Sequence, residues 1–272
     1  AALAEARAIN DALVYTFVNI PQLKKYVGLR AMTECCRPTA KYNHHLRGHP
    51  PSIALPHARA SRETYIRSVA KLFALSRPAL ELDPTSLTQL FLPTAEGGAQ
   101  VPCPVALAAP CFTASMIDTL GMILADPTMR PLLSDTSAWP DSPSATLNES
   151  YTHFKAITGS PHFTNGGEDN QDPQSRFKRA LFNVEMGSYT IDKADQAANM
   201  NAQHALSRPV FRAKADAILH APPPTSPHAP ARLRACALPD AMALFQTKAI
   251  DSSNELSDLQ ATFMVCNALG IY

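Results

Sequence analysis

The chain has 272 residues, 46% apolar and 17% charged, with a formal net charge of +1. That composition excludes a disordered chain, and a length of this order supplies a core as one large domain or two modest ones. Ten glycines against 24 prolines invert the usual proportion of about 7% to 5% and count against glycine-lined loops around small ligands.

Taken in order, the Ala-rich opening predicts a helix to about Phe17, before Pro21. Residues 37–60 read as a loop because of their Pro, His and Gly content. After Ser61, the shared face of Ile66, Val69, Ala70 and Phe73 predicts a helix ending before Pro78. Ser86–Leu92 and Val101–Leu107 have strand-like residues, but their prolines restrict them to edges or extended segments. Gly97-Gly98 and Gly166-Gly167 read as turns. Further helices are expected over 112–125, 175–186, 192–206, 209–220 and 239–249, and further loops over 134–148 and 159–174. The tract APPPTSPHAPA at 221–231 predicts extended polyproline.

The last helix has the clearest signals. Ser252 and Glu255 have capping-box spacing, and Leu256, Leu259, Phe263 and Cys266 form one apolar stripe. The whole is a mainly α protein: a helical domain with long, proline-rich extended connections and at most a few short edge strands. Its expected organisation is a helical core over 1–220, with an acidic, loop-rich part at about 127–174. A proline-rich linker at 221–231 and a helical segment at 232–272 complete it.

The near-neutral total conceals blocks of charge. Residues 24–80 carry 11 Lys/Arg against two acids, 81–175 carry two bases against 11 acids, and 176–234 carry nine bases against four acids. Segregation of this kind bears on partners and assembly more than on fold. Lys24, Lys25, Arg30, Arg37, Lys41, Arg47, Arg59, Arg62, Arg67 and Lys71, with Arg176, Lys178 and Arg179, are the candidate contacts to nucleic acid or to neighbouring subunits. Tyr26, Tyr42 and Tyr65 are interleaved with them, and tyrosines stack on unpaired bases while cations displace counterions from phosphates. The competing expectation is that these cations pair with the acidic block.

Catalytic signatures are missing. Neither G-x-S-x-G, G-x-G-x-x-G nor G-x-x-x-x-G-K-[ST] occurs. Cys35, Cys36, His44, His45 and His49 invite a zinc reading, but adjacent cysteines strain to reach one tetrahedral ion, so an ordinary loop is preferred. Glu168, Asp169, Asn170 and Asp172 lack the glycine and closing glutamate of a calcium loop. No cofactor or metal is expected. Six cysteines without a framework spacing suggest a reduced, intracellular protein, and no secretory signal or membrane span is visible. Pro227-His228-Ala229-Pro230-Ala231-Arg232 matches the P-x-x-P-x-[basic] form accepted by SH3-type grooves, although the form is common by accident and a plain spacer is preferred.

Low charge, proline-rich arms, missing catalytic motifs and polarised charge together favour a self-assembling structural protein, such as the coat subunit of an RNA virus. Its partners would be copies of itself and RNA. The alternative is an RNA-binding nucleoprotein or adaptor. A third reading is a helical enzyme with dispersed residues, in which His44, His45 or His49 would serve as acid–base groups.

Overall fold

Helix accounts for 80% of the described residues, and no strand occurs among them. The computed structural model describes residues 2–20, 23, 25–35, 41–74, 84–128, 153, 156, 202–220, 228–238, 241 and 257–269. Its helices are α1 (Ala2–Val18), α2 (Lys25–Cys35), α3 (Lys41–Arg47), α4 (Pro51–Leu72), α5 (Pro84–Leu90), α6 (Pro104–Ala125), α7 (Ala202–Leu219), α8 (Ala229–Cys236) and α9 (Asp258–Leu269), with a 3-10 turn at Thr94–Glu96. The protein is mainly α. None of these helices is long and apolar enough to cross a membrane. The expected elements at 134–148, 159–174, 175–186 and 239–249 lie outside the described residues or touch them at isolated positions, as do Gly166-Gly167, Ser252, Glu255 and the acidic group Glu168–Asp172.

The chain divides into two units. The first combines Ala1–Asn43, His57–Val105 and Phe211–Tyr272; the second combines His44–Pro56 and Ala106–Val210. In the first, α1 packs on α2, α9 packs on α2, α5 and α8, and α8 also meets α5 and the 3-10 turn. Leu92, Ala215, Ile218, Ala229 and Leu233 form a buried cluster, with Phe211 and Leu219 against it. A polar lock joins α1 to α4. The Ser61 hydroxyl donates to Asp11 Oδ1 at 2.7 Å, Asn10 Nδ2 donates to Ser61 Oγ at 3.1 Å, and the Tyr65 hydroxyl donates to Asn10 Oδ1 at 3.3 Å. Ser61 and Tyr65 are fully buried, so their polar atoms need these partners.

Between α5 and α6 the chain doubles back on itself. Gly97 ends the 3-10 turn in the left-handed region at φ 76°, its N–H donating to Thr94 O at 2.9 Å. The N–H groups of Ala99, Gln100 and Val101 then donate to the carbonyls of Gln89, Leu92 and Leu90. Buried Gln89 holds the loop from inside: its Nε2 donates to Gly97 O at 2.8 Å, and its Oε1 accepts from Arg232 Nε at 3.2 Å.

In the second unit, residues Ala106–Ala114 of α6 are buried on every side, as their near-continuous apolar sequence requires. Pro110 lies inside α6 without ending it. The Arg47 guanidinium at the end of α3 donates to Gln203 Oε1 of α7 at 3.0 Å.

Three expectations are corrected. The 37–60 loop contains α3 and the start of α4. Pro51 stands at the first helical position, where its missing N–H costs nothing, and Pro56 removes a single backbone bond near the helix start. Ser86–Leu92 is largely the helix α5, and helix α6 takes over at Pro104 within 101–107. Polyproline over 221–231 gives way to a turn at His228 and to helix from Ala229. Pro230 sits in its first turn, so Ala229–Arg232 is helical where an SH3-type ligand is extended. Helix α9 buries Ala261, Val265 and Leu269 and leaves Leu259 and Phe263 facing out. Its capping box is Ser257 with Gln260: Gln260 N–H donates to Ser257 Oγ at 3.2 Å, and Ser257 N–H donates to Gln260 Oε1 at 2.9 Å.

Candidate nucleic-acid interface

The helical repeat puts Arg59, Glu63, Arg67 and Lys71 of α4 on one row, at i, i+4, i+8 and i+12. The opposite side of the helix carries the buried Ala58, Ser61, Tyr65, Ser68, Val69 and Leu72. Arg59, Arg67 and Lys71 are exposed and Glu63 is half-buried. Three cations against one carboxylate thus line a ridge about 18 Å long, from a rise of 1.5 Å per residue.

The end of the ridge is organised by α1. Lys71 Nζ donates to Asn19 Oδ1 and sits 5.1 Å from the centroid of the Tyr15 ring. Tyr15 itself is 56% exposed. Arg67 Nε donates to the Glu63 carbonyl at 3.4 Å. An amide and a phenol ring hold the ammonium in place without cancelling its charge.

The other expected contacts are dispersed. Arg62 turns from the ridge and lays its guanidinium 5.1 Å from the Phe91 ring centroid. Lys25 is tied to α9: its Nζ donates to Thr262 Oγ1 at 3.4 Å, and its backbone N–H donates to Asp258 Oδ1 at 2.9 Å. Arg30 is half-buried on α2. Arg47 belongs to the second unit. Lys41 is on α3, with its side chain outside the described residues, as are Lys24, Arg37, Arg176, Lys178 and Arg179. Among the described residues, Arg212 Nε meets Glu96 Oε1 at 3.8 Å, a contact between oppositely charged blocks within the subunit. Its side chains are solvated, so it contributes about 0–1 kcal/mol.

Of the three interleaved tyrosines, Tyr65 is withdrawn from the surface. Tyr65 is 1% exposed with its hydroxyl bonded to Asn10, so its ring cannot reach a base. Tyr26 and Tyr42 are helical, with side chains outside the described residues. Tyr15 lies outside the basic block, yet its ring is exposed beside Lys71. The usable signal was its place on α1: it is not among the positions Leu3, Ala6, Asn10 and Val14 that face the core.

The histidines behave as helix-end residues. The His44 and His45 ring centroids are 6.1 Å apart and those of His45 and His49 6.5 Å apart, while His49 Nδ1 bonds the His45 carbonyl at 2.8 Å. Among the described residues, no group of three or more His, Cys, Asp or Glu could hold a metal ion.

Burial pushes the Cys111 thiol up to about 12, against a smaller opposing pull from the Arg47 cation. The folded chain holds this proton more tightly than the unfolded chain, whose ordinary thiol value is 9.0. Stability from this group is therefore complete below pH 9 and declines as pH rises toward 12. Chemical denaturation at pH 8, 9, 10 and 11 should show a loss approaching 1.4 kcal/mol per pH unit above pH 9. Cys111→Ala should remove that component of the slope. Burial likewise raises Cys236 and Cys266, opposed by Arg232 and by Lys25 respectively, with Gln89 also lowering Cys236.

No protein-family model, curated protein or solved structure matches the chain.

Proposed function

We propose that this protein is a self-assembling structural subunit, of the kind that forms the coat of an RNA virus. The observation that carries the reading is the outward side of α9, where Leu259 is 80% and Phe263 69% exposed, with Met264 beside them. Large apolar side chains grouped on one helix face mark an association surface. On α1, Ile9 and Leu13 form a second exposed row one helical turn apart. The occupant argued for is another copy of this chain. Its residues 235–272 have four acids against one base, complementary to the basic surplus of 24–80.

Sedimentation velocity across protein concentrations tests this. The wild-type chain should form species larger than a monomer, and Leu259→Asp with Phe263→Asp should dissociate them. Each buried side chain is worth about 1.5–3 kcal/mol, so the pair should raise the dissociation constant at least about a hundredfold. Helix content by circular dichroism should hold, since neither side chain is in the core. A wild-type chain that stays monomeric throughout overturns the reading.

The ridge of α4 supports the alternative of an RNA-binding nucleoprotein or adaptor. Binding without assembly would favour it.

A further inference from the structure

We infer that Tyr15, Asn19, Arg67 and Lys71, continued along α4 by Arg59, form a binding platform for single-stranded nucleic acid. This deepens the RNA-facing part of the proposed function and names a site on the first unit. Two kinds of recognition group meet at one place. The ring of Tyr15 is more than half exposed, and an aromatic face is open to a base only when that base is unpaired. Lys71 is held over the same ring. An ammonium has three donors; Asn19 takes one, leaving capacity for a phosphate next to the stacked base. Arg67 and Arg59 repeat the positive charge at about 6 Å and 18 Å from Lys71 along the helix axis. That spacing follows a polymer backbone rather than one isolated anion. Glu63, between Arg59 and Arg67, divides the row and disfavours continuous contact there.

The arrangement predicts single strand over duplex, because a duplex hides the base faces that Tyr15 would stack on. RNA and DNA share the phosphates and bases involved, so the test carries both. Fluorescence anisotropy would use labelled 12-nucleotide oligouridylate, the matching DNA strand and a duplex of the same length. It would use the full chain, both as wild type and with Leu259→Asp and Phe263→Asp, so that binding and assembly are read separately.

Tyr15→Ala should weaken single-strand binding about tenfold and leave duplex binding unchanged, whereas Tyr15→Phe should keep wild-type affinity. Arg67→Ala with Lys71→Ala should lower the slope of log affinity against log salt by about 1.4, at 0.7 per phosphate contact on a single strand. Equal binding of RNA and DNA supports the platform as stated; preference for either adds a contact to its sugar. Tyr15→Ala matching wild type overturns the proposal, as does a duplex binding as tightly as a strand. A row that contacts only an acidic protein surface would show neither oligonucleotide binding nor a tyrosine effect, which also overturns it. A wild-type chain that stays monomeric yet keeps Tyr15-dependent binding sinks the coat reading alone.

Discussion

Gly98→Ala should destabilise the protein by roughly 3 kcal/mol, the upper end of ordinary overpacking. A Cβ at this position would collide with the backbone carbonyl and Cβ of Leu92. No side-chain rotation relieves such a clash, because the carbonyl belongs to the main chain and the Cβ is fixed to it. The loop would have to open, weakening the Gln100 N–H bond to Leu92 O at 2.9 Å and lifting Leu92 from the cluster with Ile218 and Leu233. Gly48→Ala is the matched comparison. Its Cβ would meet the nearest heavy atom, the His45 carbonyl oxygen, at 3.8 Å, an ordinary contact. Restricting the unfolded chain should then make it neutral or stabilising by about 0.4–1 kcal/mol. Urea denaturation of both variants measures the contrast, and equal effects would contradict the loop packing.

Tyr65→Ala should cost about 3–5 kcal/mol, as for other large aromatic truncations in a core. The ring is enclosed on the inner side of α4, and its hydroxyl completes the lock through Asn10, Ser61 and Asp11. Tyr65→Phe separates the two contributions: it keeps the ring, loses the bond, and should cost about 1 kcal/mol. Oligonucleotide affinity of Tyr65→Phe should equal that of wild type. A loss of affinity without loss of stability would restore Tyr65 to the interface and contradict its buried placement.

The reach of the sequence is clearest by element. Helix α1 was legible because its spacing of core residues is regular and Pro21 lies just beyond. The α3–α4 start was not, because proline and histidine were read as loop signals, whereas proline in the first turn of a helix is tolerated. In α9 the apolar stripe was visible in the sequence, but which side would be buried was not. Packing against α2, α5 and α8 at once selects Ala261 and Val265 for the inside, since smaller side chains admit closer helix approach. The bulky stripe was left outside. For the candidate site, the sequence put Arg67 and Lys71 on one helix but left Arg59 in the 37–60 loop, and α4 carries all three. The sequence could not show that Arg62 turns aside to Phe91, or that Tyr15 arrives from fifty-odd residues upstream, because both depend on how helices pair.

The bond from Lys25 N–H to the Asp258 carboxylate spans 233 positions of chain. During synthesis at roughly 5–20 residues per second, helix α2 therefore emerges about 12–47 seconds before its partner α9 exists. For that interval the seat for α9 on the nascent polypeptide is vacant, and the first unit cannot close. Completion waits on a late, long-range docking event, the kind of topology that slows folding and rewards protection by chaperones.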